Sequence, residues 1–513
     1  MQAALVILDG WGLADHDRRN AVTAAGTPTV DDLCERGADT TLRAAGRDVG
    51  LPPGSIGNSE VGHENLGAGR VVEQDATRID EAIETGRFGR GDALGAACEG
   101  VAPGGRLHLI GLVSDGGVHA LQRHLHAAIE VAADAGVEAV THAITDGRDT
   151  PPTSAPRYLT KLERAVERAG TGDVATVVGR YYAMDRDGNW DRTRRAYRAI
   201  VAAEGDHDAP TTAAAIDRAH DRGETDEFVA PTTLDGGVPM SDGDAVVTLN
   251  FRADRMRQLG RALGGLDPGF GADPPDLRVT TATRYGESFP FPVVVPPADP
   301  TDTLGEIVAD AGLTQLRVAE SEKAAHVTYF FGGGRESPFP GERREIVPSP
   351  DVATYDETPA MNAATVTDRA LAAIETDDPD LLVLNYANPD MVGHTGDCGA
   401  TIAAVETVDN EVARLVPALF DAGATVLVTA DHGNAEDVGT ADDPHTAHTT
   451  NPVPATLLAP DGTDGGRRLG GGGRLANVAP TLSSPPAVSR SARDRRGRRR
   501  RPRPNSSGSR GDR

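Results

Sequence analysis

Residues 381–396 read LLVLNYANPDMVGHTG. The run LLVLNY has the length and composition of a strand buried on both faces, and a Pro-containing turn follows it at once. Directly beyond stand an aspartate and a histidine four residues apart, Asp390 and His394. An apolar strand with ionisable residues just after it suits a parallel α/β sheet, whose ligands gather in the crevice outside the carboxyl ends of the strands. Working outward, RLHLIGLV, EAVTHAI, DVATVVG, DAVVTLNF and ATVLVTA read as further strands. Residues 124–135 and 401–418 are Ala-rich and amphipathic, as covering helices require. This alternation predicts an α/β architecture with mainly parallel sheets.

Two stretches read as connections between domains, residues 70–78 and the proline-rich PVVVPPADPTDTL at 292–304. The segment between them has strands of its own. The expected organisation is therefore a discontinuous first domain, residues 1–72 and 301–482, with a second α/β domain, residues 75–298, inserted into it. A chain of 513 residues with 38% hydrophobic content is long enough for two cores, and no apolar window is long enough to span a membrane. The N-terminal MQAALVILDGWG reads as a first strand and not as a signal peptide. Cys34, Cys98 and Cys398 have no paired or metal-site spacing, which points to a reducing cytoplasm.

The net charge is −26, with 77 Asp and Glu but only two lysines, Lys161 and Lys323. Residues 490–513 hold 11 Arg against two Asp, so the remainder is more acidic still. Such a surface repels itself in dilute buffer. At about 1 M salt, where the screening length is about 3 Å, that repulsion largely disappears, which implies adaptation to high internal salt. The same acidity argues against nucleic acid as a partner of the folded part.

Three groups of residues carry the chemistry. The first is an acid and histidine set placed mostly just after strands: Asp9 in VILDGWG, Asp390 and His394, Asp431 and His432 in TADHGN, and His448 in HTAHTTNPVP. Any one alone reads as readily as a solvated loop residue. Together they suffice for two three-ligand sites, and aspartate oxygen with histidine nitrogen suits Mn²⁺ or Zn²⁺ better than Ca²⁺. The second is Ser59 in GSIGNSEVGHENLGAG, a Gly-rich turn before a helix start. There a serine serves either as a nucleophile, with the helix end stabilising a phosphate on its oxygen, or as an ordinary N-cap. The third comprises His119, Arg148, Asp149, Arg180, Arg186, Arg252 and Arg255, again after strands of the inserted segment. Its five arginines suit a small anion bearing both a phosphate and a carboxylate. Lys323, in ESEKAAHVTYFFGGG, is one of two lysines in a chain that avoids them, which points to a specific role.

At these residues the chain resembles the cofactor-independent phosphoglycerate mutases of the alkaline phosphatase superfamily. LDGWG, GNSEVGH, SDGGVH, DGRDTPP, GRYYAMDRD, FRADRMRQ, ESEKAAHVTYFFGGG, NPDMVGHTG, TADHGN and AHTTNPVP occur in family order across residues 3–482. The resemblance implies an alkaline-phosphatase-like core and interconversion of 3- and 2-phosphoglycerate through a phosphoserine at Ser59. It implies two divalent ions, manganese being the family's usual metal. Asp9, Ser59, Asp431 and His432 would surround one ion, and Asp390, His394 and His448 the other. His445 competes with His448, whose AHTTNPVP setting fits the family pattern better. His119, Arg148, Asp149, Arg180, Arg186, Arg252, Arg255 and Lys323 would hold the substrate, and a monomer is the family's usual state. Closure between the domains, hinged at the two connections, would exclude water from the phosphoenzyme. The rival within the superfamily is a metal-dependent phosphatase or phosphopentomutase, disfavoured by DGRDTPP and FRADRMRQ. The chain departs from its relatives after LANVAPTL, where they continue into an apolar helix. Here residues 483–513 are basic and nearly devoid of apolar side chains, so they read as a disordered tail and suggest a shifted reading frame.

Overall fold

The computed structural model describes residues 1–266, 269–440 and 442–484. The basic tail therefore lies outside the described residues from 485 onward. The chain divides into two compact units, one formed by Met1–Glu73 with the segment beginning at Asp299, the other by Gln74–Ala298.

Among the described residues, the first unit holds an eight-stranded sheet. Five strands run parallel, in the order Glu342–Val347, Gln315–Glu320, Leu381–Tyr386, Ala3–Leu8 and Thr425–Thr429. The three at its centre are buried at every position, which is why they read as largely apolar runs, broken only by Asn385 and the terminal threonines of Thr425–Thr429. Val453–Leu458 then pairs antiparallel with Thr425–Thr429, and on its other side with Ala38–Arg43. Being antiparallel, it starts on the edge where its parallel neighbours end. That reversal brings the loop before residue 453 to the ligand-binding edge of the sheet. The long helix Cys398–Asp421 has Asp397 as its N-cap, accepting from the Ala400 N–H, and continues through Pro417 beyond the end expected at residue 418.

The second unit carries a seven-stranded sheet among its described residues. Its order is His207–Ala209, Thr232–Leu234, Asp173–Gly179, Ala139–Thr145, Leu107–Leu112, Ala245–Leu249 and Arg278–Thr281. Only the Thr232–Leu234 pairing with Asp173–Gly179 is antiparallel. No helix among the described residues is long and apolar enough to cross a membrane.

The connections are shorter than the sequence suggests. Asp75–Glu84 is already helical, and Val294 and Val295 donate to Thr281 and Ala282, so residues 293–295 are bonded alongside the end of the strand Arg278–Thr281. Within the second unit Arg78 Nη1 donates to the Pro296 carbonyl at 2.5 Å, and within the first Arg70 donates to the Thr301 carbonyl. The linkers are thereby tied down to residues adjoining the division.

Candidate active site

Four parallel strands of the first sheet deliver their following residues to one buried cluster. Asp9 follows Ala3–Leu8, Asp431 and His432 follow Thr425–Thr429, and Lys323 closes the turn after Gln315–Glu320. After Leu381–Tyr386, Asp390 lies in the short helix Asn388–Gly393 and His394 caps its end. His448 arrives from the loop before the antiparallel strand. Ser59 is the first residue of the helix Ser59–Ala68, and the cap is its neighbour Asn58, whose side chain accepts from Val61 N–H. The N-cap role weighed for Ser59 thus falls to Asn58, which leaves the serine hydroxyl free for the cluster. The helix can lie this close because residue 62 is glycine: a Cβ there would stand 2.6 Å from the Asp431 carbonyl oxygen.

Ser59 Oγ lies 2.8 Å from His432 Nε2, accepts from Lys323 Nζ at 2.8 Å and donates to Asp9 Oδ1 at 3.3 Å. Lys323 Nζ also reaches Asp9 at 2.8 Å and Asp390 at 2.6 Å. Asp390 Oδ1 is 3.4 Å from His394 Nε2 and 3.2 Å from His448 Nε2. The opposite ring nitrogens are engaged by backbone carbonyls, His394 Nδ1 by Thr446 and His448 Nδ1 by Gly57. Those bonds leave each Nε2 lone pair directed at the cluster, as metal ligation requires.

Three carboxylates at most 1% exposed share one ammonium. Burial pushes Asp9 up, reinforced by Asp431 and opposed by Lys323. Against the same cost of burial, Lys323 and His432 hold Asp390 well below the usual carboxylate range, and His432 and His63 depress Asp431. Burial would lower Lys323, but Asp390, Asp9 and Asp431 outweigh it and push its ammonium up. Negative charge still exceeds positive, and the buried Asp431 Oδ2, 3.2 Å from His63 Nδ1, receives no well-aligned hydrogen bond. A donor set of carboxylate oxygen and imidazole nitrogen with surplus buried negative charge fits divalent cations. Asp390, His394 and His448 form one compact potential ligand group, and Asp9, Asp390 and His432 another. A third joins Asp9 and Asp431 to His63. His445 turns aside, its Nδ1 on the Asp437 carbonyl at 2.8 Å.

Sequence reasoning passed over several residues that hold this cluster. His63 sits one turn after Ser59, and its Nδ1 donates to the Ser59 carbonyl at 2.8 Å. Asn385 Nδ2 bridges Asp9 Oδ2 at 2.7 Å and His63 Nε2 at 3.0 Å. Asn434 Nδ2 donates to Asp390 Oδ1 at 3.0 Å. The signal available for Asn385 was a lone amide inside an otherwise apolar strand, since a buried polar group needs partners.

The second unit gathers a basic group. Arg180 is buried and donates through Nη1 to Asp146 at 2.6 Å and to Asp149 at 2.5 Å, while Nη2 lies 2.6 Å from His119 Nε2. Burial, Arg180 and then Arg252 and Arg255 depress His119 to about 4, so it is neutral at physiological pH. Arg186 and Arg252 flank Asp254 at 2.7 and 3.5 Å. Burial and the repulsion of Arg186, Arg180 and Arg148 push Arg255 down, the signature of several guanidiniums converging on one place. Arg148 is well exposed and reaches Glu227 at 3.3 Å. Asp146, passed over in the sequence, fixes Arg180 and accepts from Ser114 Oγ at 2.6 Å. Lys323 lies in the first unit's carboxylate cluster.

A family model described as the metalloenzyme superfamily matches residues 1–486. The 2,3-bisphosphoglycerate-independent phosphoglycerate mutase of Halobacterium salinarum is 60% identical over 490 residues, covering 94% of this chain and 96% of its own. Its namesake from Haloquadratum walsbyi is 57% identical over 485 residues, with the same coverages. Both sources are haloarchaea, in keeping with the acidic, lysine-poor composition. Among solved structures, Leishmania mexicana phosphoglycerate mutase, crystallised at low cobalt concentration, matches with a TM-score of 0.67 and 33% identity over 94% of each chain.

Proposed function

The chain belongs to the metalloenzyme superfamily and within it to the 2,3-bisphosphoglycerate-independent phosphoglycerate mutases, and from that membership we infer that it interconverts 3-phosphoglycerate and 2-phosphoglycerate through a phosphoserine at Ser59. The observation that carries the role of Ser59 is its hydroxyl: buried at a helix N-terminus, and within 2.8 Å of both Lys323 Nζ and His432 Nε2.

In this reading Asp9, Ser59, Asp431 and His432 hold one divalent ion and Asp390, His394 and His448 a second, most suitably Mn²⁺. Such ions lower the serine hydroxyl's pKa and neutralise charge on the transferring phosphoryl group. The chain's own groups do the rest. Ser59 Oγ attacks phosphorus as the bond from phosphorus to the glycerate oxygen breaks, and the proton given up by the serine hydroxyl ends on that leaving oxygen. Lys323 stabilises the oxyanion by donating to Oγ, and the first-turn N–H groups of Ser59–Ala68 favour the phosphate that forms there. Arg186, Arg252 and Arg255 bind the carboxylate and hydroxyl of glycerate, while Arg180, clamped by Asp146 and Asp149, orients neutral His119 towards it. The retained glycerate then takes the phosphoryl group back on its other hydroxyl. A single small-molecule substrate fits this inventory of groups.

The test is conversion of 3-phosphoglycerate in high salt by chelator-stripped protein, with and without Mn²⁺ and with and without 2,3-bisphosphoglycerate. Activity restored by Mn²⁺ and indifferent to the bisphosphate is the expected result. Ser59→Ala should lose turnover while retaining its fold, and wild-type chain quenched during turnover should carry one phosphoryl group on Ser59. Appreciable turnover by the variant would overturn the nucleophile assignment.

A further inference from the structure

Five residues after Asp431 lies a fully buried carboxylate for which the reaction above has no use, that of Glu436. Its Oε1 receives Thr449 Oγ1 and, at 3.0 Å, Asn451 Nδ2. Its Oε2 has no hydrogen-bond partner and no cation forms an ion pair with it among the described residues. Two glycines make room for it. A Cβ at Gly12, in LDGWG, or at Gly433, in TADHGN, would fall inside the van der Waals radii of the Glu436 carboxyl atoms. The carboxylate is therefore walled in by the Asp9 loop on one side and the Asp431–His432 turn on another. Its two donors come from the loop that carries His448.

We propose that Glu436 is a positioning residue for His448, and through it for the divalent ion at Asp390, His394 and His448. This rests on the two-metal reading of the site. The His448 loop has little regular structure, and the bonds that locate it are few. His448 Nδ1 donates to the Gly57 carbonyl at 2.9 Å, Thr449 N–H to the Gly433 carbonyl at 2.9 Å, Gly57 N–H to the Thr449 carbonyl at 3.2 Å, Leu13 N–H to the Pro452 carbonyl at 2.8 Å, and Asn451 N–H to Thr449 Oγ1 at 3.2 Å. Glu436 collects the two side chains of that turn on a single oxygen, one residue and three residues after the imidazole. Groups that orient a ligand from behind are worth about 10–100-fold in metal affinity. Removing the carboxylate frees the Thr449 and Asn451 side chains and lets His448 turn away from Asp390. The volume of the Glu436 carboxyl also accounts for glycine at positions 12 and 433, where a Cβ would collide with it.

The experiment is calorimetric titration of Mn²⁺ into the chelator-stripped full chain in high salt, with kcat and KM measured alongside. Glu436→Ala should weaken the binding of one ion by about 10–100-fold. It should leave KM for phosphoglycerate unchanged, and saturating Mn²⁺ should restore its kcat. Glu436→Gln, which can still accept from Thr449 and Asn451, should keep wild-type affinity. In a His448→Ala background Glu436→Ala should add no further loss. Thr449→Val removes one donor without touching the buried carboxylate, and should weaken the same ion by a smaller factor even if Glu436→Ala does not fold. Unchanged affinity in either Glu436→Ala or Thr449→Val overturns the proposal. Wild-type chain that takes up no Mn²⁺ overturns the two-metal reading itself.

Discussion

Replacing Lys323 by Met keeps the side-chain volume and deletes the one ammonium in the carboxylate cluster. Lys323 Nζ lies 2.8 Å from Asp9 and 2.6 Å from Asp390, with the lysine and both aspartates almost wholly buried. At an effective dielectric constant of about 20 each contact is worth roughly 6 kcal/mol, before the cost of burying the charges is set against it. Measured deletions of one partner from buried pairs cost about 3–5 kcal/mol, and two stranded carboxylates put this variant near the upper end. In a unit of this size that corresponds to roughly 10–15 °C in Tm. The assay is thermal unfolding of chelator-stripped wild type and variant at identical high salt, repeated with saturating Mn²⁺. Metal should narrow the gap, because divalent charge balances the stranded carboxylates. The deficit should also shrink on acidification. Asp390 and Asp431 are held ionised below their ordinary range, so the stability they contribute is present above about pH 4 and lost as they protonate below it. A metal-free variant within about 1 kcal/mol of wild type would refute the argument, since no mechanism for stranding a buried carboxylate is that gentle.

Two other outcomes are expected. His119 is held at about 4 in the fold and titrates near 6.5 when unfolded, so the stability tied to its neutral form is complete above 6.5 and lost as pH falls from there towards 4. The denaturant midpoint should fall across that window, and less steeply in His119→Asn; an unaltered slope would mean the ring is already protonated. Gly62→Ala must push the Ser59 helix away from the Asp431 carbonyl, costing about 1–3 kcal/mol in a denaturant titration. Its kcat should fall by about 100-fold, as expected for a nucleophile displaced by about 1 Å, and a full wild-type kcat would show that the helix position is not critical.

The α/β class and the ligand-bearing strand ends are legible in the sequence because both follow from short-range pattern. Ala3–Leu8 is apolar throughout and Leu381–Tyr386 is apolar but for Asn385, and ionisable residues stand within four positions of their ends. What pattern cannot carry is which polar residues face one another across hundreds of positions. Lys323 is conspicuous by rarity alone, and only the fold shows it beside Asp9 and Asp390. His63, Asn385 and Asn434 act through hydrogen bonds to Ser59, Asp9 and Asp390. Their roles depend on tertiary neighbours and leave no periodic trace. The linkers are shorter than proline content suggests, because Val294 and Val295 donate to Thr281 and Ala282 despite the prolines beside them.

The sheet of the first unit also fixes the order in which a newly made chain can become an enzyme. His448 and the antiparallel strand that places it are made about 440 residues after Asp9. At about 5–20 residues per second that interval is roughly 20–90 s. Residues 74–298 form one contiguous unit and can fold during it. The N-terminal strand cannot, because both its partners, Leu381–Tyr386 and Thr425–Thr429, are still unmade. Its six apolar residues stay unpaired until those partners are made, so the edge that bears Asp9 is assembled last.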